Sequence, residues 1–305
     1  MNKAFFLFMA VSLFTANAIA TNEPLQTPCA GKMDRHYIFS PQLSDTITID
    51  VWTPEGYSAQ REKAYPVIYM HDGQNLFDAN TTWNHQSWEM DSVTSALINQ
   101  KLIEASVIVG IHSKSESRLG DLMPEKAFFM IENLPDTVSY SGHPINVRGD
   151  KYAAFVTQTL MPQMNAEYNL SQKAEETIVM GSSMGGLMSI YMICEYPDLF
   201  GGAGCLSTHW PGDPFSHWPL MPAMLRYLEK ALPSSGNHKL YFDHGTEDID
   251  AFYGEAELQV LELVKKNGYV TGVSLDNYVD EGAGHQERFW AKRVERPLRF
   301  LLPKP

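Results

Sequence analysis

Cysteine is scarce in this 305-residue chain, which contains only Cys29, Cys194 and Cys205. An odd number of cysteines cannot form a complete disulfide framework, even in an oxidising compartment. Cys194 and Cys205 lie in apolar segments, so we expect both to be buried side chains rather than reactive thiols. A bridge between these two is an open alternative, because the sequence does not give their separation.

Positive charge and long apolar runs are scarce as well. The chain has 23 Lys and Arg residues against 36 Asp and Glu residues, which gives a formal net charge of −13. This acidic balance argues against a nucleic acid or an anionic membrane surface as the partner. No segment approaches the roughly 20 apolar residues that a membrane-spanning helix needs, so no membrane span is predicted.

The first twenty residues have the pattern of a secretory signal peptide. Lys3 gives a basic start, residues 4–14 are apolar, and Ala18-Ile-Ala20 is a small-residue cleavage site. We therefore expect cleavage after Ala20 and export to the periplasm or the medium. Residues 21–45 are predicted to form an N-terminal arm, loose over 21–35, and residues 46–305 a single large domain.

Short apolar segments alternate with helical patterns along the rest of the chain. Strands are predicted over residues 46–52, 65–70, 105–111, 177–181, 202–206, 239–243 and 273–279. Helices are predicted over residues 87–97, 150–168, 187–194, 223–232, 254–266 and 288–302. The first strand alternates like a half-buried antiparallel strand, whereas the next two are apolar almost throughout, as in strands covered on both faces. The pattern predicts an α/β fold with a mostly parallel central sheet, helices on both faces, and a ligand site outside the carboxyl ends of the strands.

One stretch combines a buried strand, a sharp turn and a buried helix. The strand over residues 177–181 runs into Gly181-Ser-Ser-Met-Gly185, which has the form G-x-S-x-G, and residues 187–194 are apolar almost all round. This is the context of a nucleophile elbow, in which glycines flank a serine held in a strained turn. Ser183 is therefore the predicted nucleophile.

A serine nucleophile needs a base and an acid, which follow it along the chain in this fold. His285 lies after the last predicted strand, in a loop flanked by glycine, and is the predicted base. The acid is expected after the preceding strand, at Glu247, Asp248 or Asp250. Asp248 is the preferred choice and Asp250 the runner-up.

The oxyanion of the reaction needs two N–H donors. The backbone N–H of Met184 is predicted to supply one, and Gln74, in the polar loop after the 65–70 strand, the other. His71 and Asp72 are predicted to support that loop. The alternative, a metal site built from His71, Asp72 and His244, lacks ligand-type spacing, so no metal is predicted.

Periodicity is lost over residues 120–149, and we expect this segment to be a flap that faces the substrate, with a passive surface loop as the alternative. Arg118, in the polar segment before it, and Trp210 are predicted to contact the substrate. Trp83, Trp88 and Trp218 also lie near the predicted cleft, where they suit either a sugar or phenolic group or ordinary packing.

Together these segments resemble the esterase branch of the α/β-hydrolases. That branch includes esterase D-like S-formylglutathione hydrolases, feruloyl and acetyl-xylan esterases, and enterobactin-type siderophore esterases. The resemblance spans residues 46–302 and rests on His71-Asp-Gly-Gln-Asn75, Gly181-Ser-Ser-Met-Gly-Gly186, Tyr196-Pro-Asp-Leu-Phe200 with Ser207 beyond it, Gly245-Thr-Glu-Asp248 and Gly282-Ala-Gly-His-Gln-Glu287. It implies a triad of Ser183, Asp248 and His285, with Gln74 and Met184 at the oxyanion hole.

The predicted function is that of an exported serine carboxylesterase that works without a cofactor through an acyl-enzyme. The resemblance implies a small-molecule or oligosaccharide ester as substrate, such as an acylated polysaccharide or a siderophore ester. The alternatives are a non-catalytic carbohydrate- or ligand-binding protein on the same scaffold and an acyltransferase.

Overall fold

The computed structural model describes residues 25–132, 134, 139–140, 143–211 and 220–305, and a twisted sheet runs through their centre. The strands are β1 (Lys32–Ser40), β2 (Asp45–Thr53), β3 (Val67–His71), β4 (Val107–Ile111), β5 (Ser139–Tyr140), β6 (His143–Pro144), β7 (Thr177–Ser182), β8 (Gly202–Leu206), β9 (Lys239–Gly245) and β10 (Leu275–Asp280). Strands β5 and β6 form a separate small hairpin. The other eight form one sheet in the order β1-β2-β4-β3-β7-β8-β9-β10.

The sheet is mostly parallel. Strand β2 pairs antiparallel with β1 and β4, whereas the six strands from β4 to β10 in the sheet order run parallel to one another. The chain passes from β3 outward to β4 and then returns to β7 on the other side of β3. This reversal opens a crevice at the carboxyl ends of β3 and β7, which is where open α/β sheets bind ligands.

The helices lie on both faces of the sheet. They are α1 (Met90–Asn99), α2 (Arg118–Asp121), α3 (Glu125–Phe128), α4 (Gly149–Phe155), α5 (Met161–Glu167), α6 (Met184–Glu195), α7 (Leu220–Ala231), α8 (Gly254–Lys266), α9 (Glu287–Arg293) and α10 (Glu295–Leu301). Successive residues of β3 point into different cores: Val67 joins one apolar cluster and Ile68 the other. Both faces of the strand are therefore covered, as its continuous apolar sequence predicts.

The predicted fold class is confirmed, but several local predictions are wrong. Strand β2 is buried on both faces from Ile47 onward, not half-buried. The predicted 150–168 helix is interrupted by a π-helical turn at Val156–Leu160 between α4 and α5. The predicted 288–302 helix is divided into α9 and α10. In contrast, α8 has the predicted bounds.

The expected loose arm is wrong for the part of it that the structure describes. Strand β1 pairs with β2 over nine residues. The Gln26 side chain is buried and donates to Asp50 at 2.7 Å and to the Gly73 carbonyl at 2.9 Å. An edge strand tolerates polar side chains, which is why the sequence of β1 gave no strand signal. The predicted signal peptide over residues 1–20 lies outside the described residues.

None of the helices in the described ranges is both long and apolar enough to cross a membrane.

Candidate active site

Ser183 occupies the turn between β7 and α6, in a strained backbone conformation with φ 57° and ψ −120°. Its backbone N–H donates to the Leu206 carbonyl at 3.0 Å, which fixes the turn to β8. A Cβ at Gly181 would lie 3.0 Å from backbone atoms of Gly185. The two glycines therefore let strand and helix meet closely on either side of the serine.

His285 lies in the loop after β10, and its Nδ1 is 2.6 Å from Oδ1 of Asp250. Its ring forms T-shaped contacts with the rings of Tyr253 and Trp290, with centroid separations of 5.8 Å and 5.1 Å. These contacts hold the imidazole plane, and the carboxylate contact selects the tautomer that carries its proton on Nδ1. The other ring nitrogen, Nε2, is left to act as an acceptor.

The prediction of Asp248 as the acid is wrong in this geometry. Asp248 is exposed and has a left-handed φ of 54°, which turns the chain sharply at the start of a 3₁₀ helix over Asp248–Phe252. The turn carries Asp250 inward, where it is fully buried. The runner-up of the sequence analysis therefore contacts His285.

Asp250 is held in its ionised form by donors on both oxygens. Oδ2 accepts from the Gly245 backbone N–H at 2.7 Å and from the Ser207 hydroxyl at 2.6 Å, while Oδ1 faces His285. Burial alone would raise the pKa of Asp250, but these hydrogen bonds and the charge of His285 outweigh it, and the pKa lies below its ordinary value.

Ser207 is a residue that the sequence analysis did not single out for a role. Its Oγ lies 2.9 Å from Trp290 Nε1 and 2.8 Å from Arg293 Nη2, and both of those groups can only donate. The single Ser207 hydroxyl proton must then point to Asp250. Trp290 and Arg293 are three residues apart, so they share one face of α9, and that spacing is the sequence signal that could have found them.

The loop after β3 brings three neighbouring residues to the crevice. Asp72 has a left-handed backbone and binds Arg118 through two hydrogen bonds of 2.6 Å and 2.7 Å. Burial would raise the pKa of Asp72, but the Arg118 charge and hydrogen bonds hold it below its usual value. A Cβ at Gly73 would lie 2.5 Å from the Gly110 carbonyl carbon, so glycine is required where the loop crosses β4. Oε1 of the next residue, Gln74, accepts from the Ser113 backbone N–H at 3.0 Å.

His71, the last residue of β3, supports this loop from the interior of the domain. It is buried, and its Nδ1 lies 2.7 Å from the Tyr152 hydroxyl. Burial lowers the pKa of His71 to about 4, against a smaller opposing effect of Asp72. A Cβ at Gly185 would be 3.2 Å from His71 Cβ, so this neutral imidazole packs directly against the turn that carries Ser183.

Ser183 and His285 border one open cavity of about 900 Å³ at the carboxyl ends of the strands. Most of its lining residues are polar or charged by type, and three are tryptophans. The lining residues comprise Gln26, Asp72, Gln74, Asn75, Thr81, Thr82, Trp83, Asn84, Gln86, Trp88, His112, Ser113, Lys114, Ser115, Glu116, Arg118, Ser182, Ser183, His285, Gln286, Glu287 and Trp290. The structure thus brings together Ser183, His285, Gln74 and Arg118. Met184, whose backbone N–H is the other predicted donor, follows Ser183 directly as the first residue of α6.

One prediction about the substrate contacts is wrong. Trp210 is fully buried and packs against Phe242 at 6.0 Å, because the chain folds inward after β8. Trp83, in contrast, borders the cavity and is 84% exposed. Trp218 lies outside the described residues.

The flap predicted over residues 120–149 is not found in the part of that segment that the structure describes. None of its described residues borders the cavity. Arg148 binds Asp121 through two hydrogen bonds of 2.8 Å and 2.9 Å, and Phe128 is buried in the core. These contacts fasten the segment to the body of the domain.

The three cysteines are free thiols, so Cys194 and Cys205 are not bridged; both are buried, as predicted. Burial raises the pKa of each of these two thiols. Among the described residues, no cluster of three or more His, Cys, Asp and Glu side chains is arranged to hold a metal ion.

A mostly parallel sheet covered on both faces by helices, with a serine on the turn between a central strand and a buried helix, defines an α/β-hydrolase fold. The sequence matches the family described as "Putative esterase" over residues 40–301. The chain therefore belongs to that esterase family.

Individual relatives are also found. The Bacillus subtilis protein named "Uncharacterized protein YbbA" is 24% identical over 260 residues, which cover 83% of this chain and 92% of YbbA. An Escherichia coli iron(III) enterobactin esterase is 32% identical over 79 residues, only 26% of this chain and 19% of that protein.

Solved structures share the fold at low identity. An IroE-like serine hydrolase from Shewanella oneidensis superimposes with a TM-score of 0.66 and 19% identity, covering 88% of this chain and 79% of that one. The enterobactin esterase of Shigella flexneri gives a TM-score of 0.65 and 18% identity, over 91% of this chain and 62% of that one. A ferulic acid esterase superimposes with a TM-score of 0.64 and 17% identity, covering 89% of this chain and 98% of that one.

Proposed function

We propose that this protein is a serine carboxylesterase that works through an acyl-enzyme, with Ser183, His285 and Asp250 as its triad. The observation that carries the proposal is the 2.6 Å contact between His285 and the buried Asp250, beside the cavity that Ser183 also borders. A serine hydroxyl needs a base whose tautomer is fixed by a third group, and this contact provides one.

In the proposed reaction, Ser183 Oγ attacks the ester carbonyl carbon while His285 Nε2 takes the serine proton. The tetrahedral oxyanion accepts N–H bonds from Met184 and Gln74. His285 then gives its proton to the leaving alkoxide, and the alcohol departs. Water attacks the acyl-enzyme by the same route, giving the carboxylic acid and restoring Ser183.

The relatives suggest where to look for the substrate. Two of them are named for enterobactin and one for ferulic acid. A cavity lined by polar side chains together with tryptophans, one of them exposed, suits an ester with polar and ring-shaped parts.

The test is hydrolysis of 4-nitrophenyl acetate by the purified protein and its triad variants. Ser183→Ala and His285→Ala are expected to lower kcat by about 10⁴-fold or more, and Asp250→Asn by about 10⁴-fold because the imidazole loses its productive tautomer. Asp248→Asn is the matched control, two residues away and exposed, and should keep kcat within about threefold. Equal rates in all folded variants, or a larger loss in Asp248→Asn than in Asp250→Asn, would contradict the proposed triad.

We also propose that the chain is exported. The proposal rests on the basic, apolar and small-residue pattern of residues 1–20. Amino-terminal sequencing of the protein from the native host should begin at Thr21, and a chain that keeps Met1 would overturn export by this route.

A further inference from the structure

Glu287 is a carboxylate in the cavity wall, two residues beyond His285. Its side chain accepts from Asn75 Nδ2 at 3.2 Å through Oε1 and from Asn84 Nδ2 at 2.6 Å through Oε2, and the residue is only 7% exposed. Amide nitrogens only donate, so both oxygens act as acceptors, as in an ionised carboxylate. Neither partner carries a charge that could cancel its own.

The Lys and Arg side chains of the cavity wall are paired with other carboxylates. Arg118 binds both oxygens of Asp72, and Lys114 lies 2.6 Å from each oxygen of Asp45. Within the described residues, no side-chain nitrogen of Lys or Arg lies within 4 Å of a Glu287 carboxylate oxygen, whereas Arg118 and Lys114 each have a carboxylate partner of their own. The charge of Glu287 acts on Arg118 without a direct contact, and Arg118 is already bound to Asp72. Two carboxylates therefore share one guanidinium, and one negative charge of the cavity wall is left without a paired cation.

The wall residues beside Glu287 include two uncharged amides. Gln86 and Gln286 lie beside it in the wall and approach each other at 3.4 Å between their amide groups. Trp83 presents an exposed indole at the same cavity. Such a wall can donate to, accept from and stack on a neutral group, but it has no unpaired cation to receive an anionic one.

We propose that Glu287 makes this site selective for uncharged esters and excludes esters that carry a carboxylate. The inference rests on the proposed esterase function and adds to it the charge class of the substrate. A hydroxyl or N–H group of the substrate can donate a charge-assisted hydrogen bond to Glu287. A substrate carboxylate meets like-charge repulsion in a partly enclosed site, where screening by water is weaker than at an open surface.

The experiment compares matched neutral and anionic esters, with each rate normalised to alkaline hydrolysis of the same compound. One pair differs in the acyl part, 4-nitrophenyl butyrate against mono-4-nitrophenyl succinate. The other differs in the alcohol part, methyl 4-acetoxybenzoate against 4-acetoxybenzoate. The wild-type protein should prefer the neutral member by at least tenfold in kcat/KM in at least one pair. Glu287→Gln should reduce that preference at least fivefold by raising the rate on the anionic ester.

Two control variants separate this charge effect from a general one. Glu287→Asp keeps the charge and should keep most of the preference. Glu281→Gln removes an exposed carboxylate from the loop before His285 and outside the cavity wall, and should leave the preference within twofold.

Failure of this inference can be distinguished from failure of the proposed esterase function. Equal normalised rates on both members of both pairs in the wild-type protein would overturn the inference while leaving the esterase intact. A preference that survives Glu287→Gln unchanged would do the same, because another group would then cause it. No hydrolysis of any of the four esters would overturn the proposed function itself, and this inference with it.

Discussion

At the scale of single residues, the hydroxyl of Ser207 joins three side chains that otherwise have no direct hydrogen bond to one another. It accepts hydrogen bonds from Trp290 and Arg293 and donates one to Asp250. Arg293 is also bound to Asp243 at 2.9 Å, so the chain of donors is anchored in the core. The orientation of Asp250, and through it the tautomer of His285, depends on this buried arrangement.

We therefore expect Ser207→Ala to lower kcat by about ten- to a hundredfold, with little change in KM. A hydrogen bond to a charged group contributes about 1.5–3 kcal/mol, and this one acts on the acid that orients the base. In the Asp250→Asn background the same substitution should have little further effect, because Ser207 acts through Asp250. Steady-state kinetics of the four proteins measure this coupling.

Ser106→Ala is the matched control for that cycle. Ser106 is also fully buried and also makes a hydroxyl hydrogen bond, to the Glu104 carbonyl at 2.8 Å, but it precedes β4, far along the chain from the site. It should lower the melting temperature without a specific loss of kcat. Additive losses in Ser207→Ala and Asp250→Asn would show that Ser207 has only a structural role.

Residue-level choices of this kind were the least predictable part of the site. Asp248 and Asp250 lie on the same short turn, and the direction of each depends on one left-handed residue, Asp248 itself. A sequence pattern does not report that angle. Ser183 and His285, in contrast, are marked by their flanking glycines and by their positions after particular strands, and the structure brings both to one cavity.

At the scale of elements, the loop after β3 depends on a close crossing over β4. The Gly73 backbone approaches Gly110 so closely that an added Cβ would clash with the carbonyl carbon at 2.5 Å. Backbone atoms in the middle of a paired strand cannot move aside easily, and Gln74 is the next residue along. The crossing therefore determines where a predicted oxyanion donor lies.

Gly73→Ala is expected to lower the free energy of unfolding by about 1–3 kcal/mol, as overpacking usually does, and to reduce kcat as well. Gly254→Ala is the control, because its added Cβ would lie 3.4 Å from His244, an ordinary contact at the start of α8. That variant should be neutral or slightly more stable. Urea unfolding and ester hydrolysis measured on the same samples give both effects. If Gly73→Ala kept the stability and the kcat of the wild-type protein, the close approach of Gly73 to β4 would not position this loop.

Strands and helices were predictable where the element is buried on all sides and its sequence is therefore a continuous apolar run. Strand β3 and the helix α6 are covered all round, so their apolar runs stand out. Strand β1 was missed because it lies at the sheet edge and keeps polar side chains along most of its length. The start of α1 at Met90 rather than Ser87 follows from Glu89, whose left-handed φ of 52° interrupts the helical pattern.

At the scale of the whole molecule, His71 couples the folding equilibrium to pH. In the unfolded chain a histidine takes up a proton near its ordinary pKa of about 6.5. In the folded protein, burial holds the pKa of His71 at about 4. Between these values the unfolded state binds the extra proton, so the free energy of unfolding falls as the pH falls from 6.5 towards 4 and levels off below that.

The contribution at pH 5 is about 2 kcal/mol, from 1.36 kcal/mol for each pH unit over which only the unfolded state is protonated. Urea unfolding at pH 7 and at pH 5 measures this effect. Between these pH values the free energy of unfolding of the wild-type protein should fall by about 2 kcal/mol more than that of His71→Gln. The variant has no group that titrates at position 71. The other titrating groups are common to both proteins, and Asp72 is the one whose pKa also depends on His71. An equal pH dependence in the two proteins would mean that the buried imidazole is not the coupling group.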